Sequence, residues 1–365
     1  MTSAVKNKTS VFTWFFLILV IVIIAGNMYG LLAPSWRAAE AIEKELDISG
    51  ETMGTTYSVK AWYGETEVSK EQIDQRLVEI NQQMSTYMPD SEISQFNASD
   101  STEWFPVSEQ TAFVIDKSLH YHELTARASD VTVGPLVRLW DFGPGRHAIG
   151  SKLESPADEL LAAAKDNSGA EKVKVRLNPP AIRKLNANVE VDLSSIAKGY
   201  AVDVVADLLI EHGFLNFMVE IGGEVRAEGT RGDERPWRIG VERPDLSQRV
   251  IEKIVSLDNQ ALATSGDYRN FRDFDGERVS HIIDPATGRP LPYRGWSVTV
   301  LADFCLEADV LATALLVMGE DRGYDWCEEN RVAAMFLIRS EDGIREVVTS
   351  QFIHVANVEK VAETN

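Results

Sequence analysis

The chain has 365 residues, 44% of them hydrophobic and 25% charged, which is enough for one large or two moderate globular domains. Its formal net charge of -20 disfavours nucleic acid as a partner, because a field of that sign repels phosphate backbones. Only two cysteines occur, Cys305 and Cys327, so a disulfide framework and a cysteine-based zinc site are excluded, and whether the two pair stays open.

An apolar segment near the N-terminus predicts a signal anchor or a secretory signal. Residues 9 to 36 carry no charged side chain, and Val11 to Ala25 is almost wholly apolar. Lys6 and Lys8 precede the segment and Arg37 follows it, which places the N-terminal tip in the cytoplasm. We therefore expect a single anchor in the inner membrane with the folded body in the periplasm. A buried core helix is the alternative interpretation, and cleavage of the segment stays open.

The body of the chain shows grouped strand and helix patterns. Alternation over Leu46 to Tyr63, broken at Met53-Gly54-Thr55, predicts a pair of strands. Helical periodicity predicts five helices, which are Ser69 to Met84, Ser108 to Ala128, Glu154 to Lys165, Ser195 to Gly213 and Glu307 to Met318. Ser108 is a predicted N-cap, and Gly213 and Gly319 are predicted to end helices.

Short strands are predicted between and after these helices. The predicted strands are Val173 to Leu177, Ala181 to Leu185, Val189 to Leu193, an antiparallel meander of Phe217 to Ile221, Glu224 to Glu228, Trp237 to Glu242 and Ile251 to Leu257, then Ser297 to Ala302, and a hairpin of Val332 to Ile338 and Ile344 to Thr349. Because the elements are grouped and do not strictly alternate, we predict an α+β fold with mixed, largely antiparallel sheets and packed helices. We expect a tip and anchor over 1–36, a linker over 37–49, one domain over 50–355 and a tail over 356–365.

Common phosphate and metal motifs are absent from the sequence. It contains no GxxxxGK[ST], no GxGxxG after a predicted strand, no HExxH and no CxxC. His120 and His122 are two residues apart, so a helix directs them to different faces and a shared metal is disfavoured. Since the net charge also repels a phosphorylated ligand, any such ligand requires a cation or local backbone N–H groups.

The segment Asp192 to Gly199 joins a predicted strand to a predicted helix. The start of a helix presents free N–H groups and a positive dipole end to an anion. Lys198 lies in the first turn, where a cation is unfavourable unless a phosphate or carboxylate is close. The segment therefore indicates an anion site, and a surface lysine on an ordinary helix is the alternative.

Asp309 and Thr313 are four residues apart on an apolar helix and so share one face. A carboxylate and a hydroxyl on the inner side of such a helix need a partner, and a hard cation with oxygen ligands suits both. The alternative is an aspartate near the helix N-terminus and a threonine bonded back to its own helix.

Three turn segments add weaker signals. Ile221-Gly222-Gly223 and Ala263 to Tyr268 contain glycines that allow a ligand to approach the backbone, although hairpin turns explain them equally well. His281 to Gly288 contains the only histidine beside these motifs, and His281 is a candidate base or orienting group. A histidine with its hydrogen bonds satisfied in the core is the alternative.

Taken together and in this order, the segments resemble the ApbE family, the FAD:protein FMN transferases. The resemblance covers about Gly50 to Phe352. The motifs that carry it are Thr52 to Thr55, Met84 to Tyr87 with Ser91 to Ser94 and Phe96-Asn97, Thr132 to Val137 with Leu139 to Gly143, Asp192 to Tyr200 with Asp203, Ile221 to Gly223, Ala263 to Tyr268, His281 to Gly288, and Ala308 to Thr313.

The resemblance implies roles for individual residues. Contacts to FAD are implied for Met53, Tyr87, Ala128, Ser129, Asp130, Asp192, Lys198 and Ile283. A Mg²⁺ ion is implied on the backbone carbonyl of Ser195 and the side chains of Asp309 and Thr313. The family often has Gly or Ala where this chain has Ser194 or Ser195, a change that leaves a carbonyl ligand in place. His281 is the candidate residue for handling the proton of the attacking hydroxyl, and Lys198 is the candidate for stabilising the phosphates.

The implied reaction is Mg²⁺-dependent transfer of FMN from FAD to a Thr or Ser hydroxyl of an acceptor flavoprotein, through a phosphoester bond, with release of AMP. The implied acceptors are flavoprotein subunits of membrane redox complexes, of the sodium-pumping quinone reductase or Rnf type. One alternative is a Mg²⁺-dependent FAD pyrophosphatase that yields FMN and AMP. Another is a non-enzymatic periplasmic flavin-binding protein.

Overall fold

The computed structural model describes residues 45–148, 151, 153–245 and 249–360. Eight strands form one antiparallel sheet in the order β1-β2-β6-β7-β10-β14-β15-β16. These strands are β1 (Leu46–Thr52), β2 (Thr55–Trp62), β6 (Asn216–Ile221), β7 (Glu224–Glu228), β10 (Gln260–Gly266), β14 (Trp296–Ala302), β15 (Ala333–Ser340) and β16 (Gly343–Val348).

Nine α-helices lie within the described residues. They are α1 (Lys70–Met84), α2 (Glu92–Ala98), α3 (Glu109–Leu124), α4 (Gly134–Leu139), α5 (Asp158–Asp166), α6 (Ala197–Glu211), α7 (Cys305–Met318), α8 (Glu320–Asn330) and α9 (Ser350–Val355). A 3₁₀ turn covers Ala170–Lys172. Helix α6 packs on β6 and β7, α7 packs on β10 and β14, and the two helices contact each other.

Three further sheets have three strands each. Their orders are β3-β5-β4, β17-β9-β8 and β11-β12-β13. The strands are β3 (Phe105–Pro106), β4 (Val173–Leu177), β5 (Pro180–Lys184), β8 (Trp237–Glu242), β9 (Ile251–Leu257), β11 (Phe271–Phe274), β12 (Glu277–Asp284), β13 (Arg289–Pro292) and β17 (Asn357–Lys360).

The large sheet is buried on both faces. Because successive side chains of a strand point to opposite faces, alternate residues enter two different hydrophobic cores. In β10, Ala261 and Ala263 join the core beneath α6 and α7, whereas Leu262 between them joins a second core with residues of β8 and β9. Strand β15 repeats the pattern, with Phe336 in the first core and Met335 in the second. The molecule therefore stacks a helical layer, the eight-stranded sheet and a small sheet.

A third, smaller core is separate from the first two. It joins Leu136 and Trp140 near α4 with Leu161 of α5 and with Phe274 and Ile283 from the β11-β12-β13 sheet. The ring nitrogen of Trp140 donates to the carbonyl of Gly288 at 2.9 Å, which fixes the turn between β12 and β13 against the end of α4.

The α+β fold with largely antiparallel sheets is confirmed, and several predicted local features recur in the structure. Met53 and Gly54 form the two-residue turn between β1 and β2, both with positive φ, as the hairpin turn requires. Ser108 caps α3 through its hydroxyl, and Gly213 follows α6 with a φ of 79°. Both cysteines are free and buried.

Two predicted strand arrangements are wrong. Residues Val189 to Leu193 form no strand, because the amide of Asn97 bonds both the N–H and the carbonyl of Val191 at 2.8 Å in place of a neighbouring strand. The predicted meander also divides, since Phe217 to Glu228 lies in the large sheet and Trp237 to Leu257 lies in the β17-β9-β8 sheet. Side-chain alternation indicates a strand but does not identify its neighbours.

The domain extends beyond its predicted limits of 50 and 355. Strand β1 begins at Leu46, inside the predicted linker, because it pairs with β2 from its first residue. Strand β17 lies in the predicted tail and pairs with β9. The predicted anchor over 9–36 lies outside the described residues, and among those that are described no helix is long and apolar enough to span a membrane.

Candidate functional site

A cavity of about 340 Å³ opens where the first turn of α6, the middle of α7 and the ends of β10 and β12 converge. Ten of the twelve residues predicted for the site line it, and they come from segments far apart in the chain. These ten are Ala128, Ser129, Asp130, Asp192, Ser195, Lys198, His281, Ile283, Asp309 and Thr313.

Helices α6 and α7 cap each other's N-termini through aspartates. The residue at the N-cap of each helix, Ile196 and Phe304, makes no side-chain cap bond. Asp309 of α7 accepts from the N–H of Gly199 in the first turn of α6 at 2.9 Å. Asp203 of α6 accepts from the N–H groups of Cys305 and Leu306 at 3.0 and 2.9 Å. This exchange satisfies donors that a helix start leaves free and fixes the two helices relative to each other.

A glycine permits this close approach. A Cβ added to Gly199 would lie 2.3 Å from the carbonyl oxygen of Cys305 and 2.8 Å from Cβ of Asp309. Both are shorter than any tolerated carbon contact, and the first involves backbone. The glycine of the Asp192 to Gly199 segment therefore allows α6 to contact α7.

Lys198 lies between two buried carboxylates. Its Nζ is 2.6 Å from Glu224 Oε1 and 3.5 Å from Asp309 Oδ1. Burial lowers the pKa of Lys198, but the negative charges of Asp309 and Glu224 outweigh burial and leave the pKa above its ordinary value. Lys198 is therefore protonated, and its position in the first turn of α6 is explained by these carboxylates.

The two carboxylates have raised pKa values. Burial raises the pKa of Glu224 to about 7, with Lys198 opposing the shift and Asp309 adding to it. Burial also raises the pKa of Asp309, against the opposing effects of Lys198 and the N–H of Gly199. Additional positive charge in the cavity would stabilise the ionised forms of both carboxylates.

The buried charges lie on one wall of the cavity, which α6, α7 and β7 form. Oxygen atoms of β10 and α7 belong to the same wall. The hydroxyls of Thr313 and Ser265 are 2.8 Å apart, and Ser265 lies near the end of β10. Ser195 lies in the turn before α6, and Asp192 shapes that turn by accepting from the N–H of Ser194 at 2.9 Å.

The loop Ala128 to Asp130 forms part of the opposite wall. Asp130 accepts from the N–H of Thr132 at 2.8 Å and from the N–H of Ala170 at 3.2 Å. His122 lies 2.8 Å from the carbonyl of Ser129 through Nδ1. The Asp130 carboxylate therefore orders this loop at the edge of the cavity.

His281 contributes an imidazole to the same wall. Its Nδ1 lies 3.1 Å from the carbonyl oxygen of Asn270, an acceptor, so the neutral ring carries its proton on Nδ1 and keeps Nε2 as an acceptor. Burial lowers the pKa of His281 to about 4, opposed by the bond to Asn270. At neutral pH the ring is therefore uncharged and able to take a proton.

The matches to known proteins agree along most of the chain. The model of the ApbE family matches residues 53–336. The FAD:protein FMN transferase of Vibrio cholerae is 45% identical over 88% of this chain and 95% of its own length. This chain belongs to the ApbE family. The FAD:protein FMN transferase of Haemophilus influenzae is 38% identical over 90% of this chain and 97% of its own length.

Solved structures of ApbE-family proteins have the same fold. The flavin transferase ApbE from Vibrio cholerae is 44% identical, with a TM-score of 0.76 over 86% of this chain and 99% of its own. The apo flavinyl transferase ApbE of Pseudomonas stutzeri is 35% identical, with the same TM-score over 86% of this chain and 96% of its own. The family resemblance stated from the motifs is thereby confirmed.

Two of the predicted flavin contacts do not line the cavity. Tyr87 is exposed, and its hydroxyl donates to the carbonyl of Phe142 at 3.3 Å. Partial burial and then the negative charge of Asp192 raise the pKa of Tyr87. Met53 lies in the β1-β2 turn and packs against the main core.

Sequence reasoning did not select several lining residues. Glu224, Thr264, Ser265, Arg269 and Asn270 all border the cavity. Four of them lie in or directly after the segment Ala263 to Tyr268, which was singled out for its glycine. Glu224 directly follows the Gly222-Gly223 turn, and that turn is the signal in the sequence that indicates it.

The donor set suits a hard cation in this ApbE-family site. The lining includes four carboxylates, Asp130, Asp192, Glu224 and Asp309, against the positive side chains of Lys198 and Arg269. Within the described residues no group of three or more His, Cys, Asp or Glu side chains is arranged to hold a metal. Carboxylate, hydroxyl and carbonyl oxygens are ligands that Mg²⁺ prefers, whereas zinc and copper favour nitrogen and sulfur ligands.

Proposed function

We propose that this chain transfers FMN from FAD to a Thr or Ser hydroxyl of an acceptor flavoprotein, forming a phosphoester and releasing AMP, in a Mg²⁺-dependent reaction. One observation supports this most strongly: Lys198, Asp309 and Thr313, from two helices, border one cavity in an ApbE-family chain. The curated relatives at 34 to 45% identity carry the name FAD:protein FMN transferase.

An acidic protein that binds a dinucleotide needs positive charge at the phosphates. We assign the Mg²⁺ ligands to the carbonyl of Ser195 and the side chains of Asp309 and Thr313. When bound, Mg²⁺ neutralises phosphate charge that develops as the P–O bond breaks. The ammonium of Lys198 and the N–H groups at the start of α6 supply the remaining attraction for the phosphates.

The acceptor hydroxyl attacks the phosphorus of the FMN half of FAD. A bond forms from the hydroxyl oxygen to that phosphorus, the bond to the bridging oxygen breaks, and AMP leaves with the electron pair. Nε2 of His281 takes the proton of the hydroxyl, since its Nδ1 is occupied by the carbonyl of Asn270. The neutral ring at pH 7 suits this role.

Residues in and around the cavity are assigned to holding the dinucleotide. Tyr87 offers an exposed aromatic ring, and Ile283 offers an apolar surface supported by the third core. Ala128 and Ser129 border the same wall. We assign these residues, together with Met53, Asp130, Asp192 and Lys198, to binding of FAD.

The apolar N-terminal segment supports a proposal for the place of action. We propose that residues 9–36 anchor the chain in the inner membrane and that the domain acts in the periplasm. From the resemblance to the ApbE family we infer that the acceptors are flavoprotein subunits of membrane redox complexes, of the sodium-pumping quinone reductase or Rnf type.

The test is incubation of the protein with FAD, Mg²⁺ and an acceptor domain, followed by mass spectrometry of the acceptor. The expected result is an acceptor heavier by the mass of one FMN less one water, with one equivalent of AMP released. The variant that removes the proposed cation ligand is Asp309→Asn. Asp303→Asn is its matched control, because Asp303 is exposed and precedes the same helix as Asp309. FMN that appears only free in solution would identify a pyrophosphatase, and FAD bound without turnover would identify a flavin-binding protein.

A further inference from the structure

Glu224 is a buried acid at the cavity to which no role has yet been given. It begins β7, directly after the Gly222-Gly223 turn, and only 4% of its surface is exposed. It lines the cavity together with Gly222. A carboxylate this deeply buried is costly unless both of its oxygens are paired.

The two oxygens of Glu224 have different surroundings. Oε1 lies 2.6 Å from Nζ of Lys198. Oε2 is also buried, yet it has no hydrogen-bond partner in the part of the chain that the structure describes. An ideal Cβ on Gly222 would lie 3.5 Å from Oε2, so this oxygen lies beside a residue that borders the cavity.

Neighbouring polar groups are already engaged. The hydroxyls of Thr264 and Thr299 are 2.9 Å apart, and the hydroxyl of Ser265 is paired with that of Thr313. Asp309 has Lys198 on one oxygen and Gly199 on the other. Oε2 of Glu224 is therefore an oxygen left available for a ligand that enters the cavity.

The charges identify what kind of ligand suits this oxygen. Glu224 and Asp309 both contact the single ammonium of Lys198, so one positive charge lies against two acids. A phosphate oxygen would be repelled by Oε2, whereas a divalent cation would satisfy both the orphaned oxygen and the excess negative charge.

We infer that Oε2 of Glu224 is a further oxygen ligand of the cation that binds beside Asp309 and Thr313. This inference rests on the proposed function, because it concerns the same cation site. The competing interpretation is that Glu224 serves only as the ion-pair partner of Lys198.

The experiment measures binding of Mn²⁺ alone, without FAD, to the full chain by electron paramagnetic resonance. The variants are Glu224→Gln, Asp309→Asn and Glu220→Gln. Glu220 is the matched control, because it lies on the adjoining strand of the same hairpin and its Oε1 accepts from the N–H of Gly223 at 2.7 Å. Glu224→Gln keeps the side-chain shape and an oxygen for Lys198 but removes the charge.

We expect Glu224→Gln to weaken Mn²⁺ binding by at least about tenfold, Asp309→Asn to weaken it by more, and Glu220→Gln to leave it unchanged. Mn²⁺ affinity that is unchanged in Glu224→Gln but lost in Asp309→Asn overturns the inference and leaves the proposed site intact. Affinity unchanged in both variants contradicts the proposed site itself.

A second variant separates ligation from folding. Glu224→Asp keeps the charge beside Lys198 but withdraws the carboxylate by one methylene. Weakened Mn²⁺ binding with an unchanged melting temperature of the metal-free protein supports a ligand role. A lower melting temperature with unchanged Mn²⁺ affinity supports the ion-pair role alone and overturns the inference.

Discussion

The two walls of the cavity are built in different ways. The wall formed by α6, α7 and β7 carries buried charges, and its helices exchange aspartate caps at distances of 2.9 to 3.0 Å. The wall formed by the Ala128 to Asp130 loop and β12 carries a neutral histidine and an apolar residue supported by a small separate core, and its one carboxylate, Asp130, accepts from backbone N–H groups. The first is suited to phosphates and a cation, and the second to a proton and a flat apolar ring.

The largest effect is expected at the charged wall. Asp309→Asn removes a negative charge from the proposed cation site, so we expect FMN transfer to fall by about a thousandfold. The measurement is kcat/KM for FAD at saturating Mg²⁺, with Asp303→Asn as the control. Transfer within tenfold of the unaltered protein in Asp309→Asn would remove Asp309 from the cation site.

The second effect concerns the neutral wall. His281→Gln should lower transfer by about a hundredfold through loss of the base, while FAD affinity stays within a few-fold. Because the pKa of His281 is lowered to about 4, the ring should keep its base form from pH 8 down to 6. A pH–rate profile checks this. A fall in rate with an apparent pKa near 6.5 that disappears in His281→Gln would contradict the assigned environment.

A third prediction tests whether Asp203 of α6 caps the N-terminus of α7. Asp203→Asn weakens the bonds to Cys305 and Leu306 and removes the charge that faces Arg226, 3.3 Å away. We expect a loss of about 1–2 kcal/mol in the free energy of unfolding. Urea denaturation measures it. Asp207→Asn is the control, since Asp207 contacts the same arginine from an exposed position, and an equal loss in both variants would refute a capping role.

The smallest effect is expected at the rim. Tyr87 is exposed and makes one long hydrogen bond, so Tyr87→Phe should leave the KM for FAD unchanged and Tyr87→Ala should raise it a few-fold. Steady-state kinetics checks both variants. Equal losses in the two would show that the hydroxyl, not the ring, contributes.

The sequence predicted best what depends on local pattern. The helices that carry Lys198 and Asp309 follow from apolar spacing, although α6 begins at Ala197 and not at the predicted Ser195. The Met53-Gly54 turn and the cap at Ser108 follow from the side chains themselves. Short α2 and α4 and the strands β10 to β13 were missed, because their apolar residues are too few or too interrupted to show a period.

Features that depend on distant partners could not be predicted in the same way. Asp203 appeared only as part of a family motif, since its role as a cap for α7 requires residues a hundred positions later. Val189 to Leu193 has a strand pattern, but its backbone bonds are taken by Asn97. The orphaned oxygen of Glu224 is visible only when the neighbouring hydroxyls are seen to be paired.

The central claim is that a strongly acidic protein holds an anionic dinucleotide through a cation at the α6–α7 wall. The most direct measurement is the dissociation constant for FAD with Mg²⁺ and with a chelator, in the unaltered protein and in Asp309→Asn. We predict FAD binding that is at least about tenfold tighter with Mg²⁺, and a dependence on Mg²⁺ that Asp309→Asn abolishes. Equal affinity with Mg²⁺ and with the chelator would contradict the account.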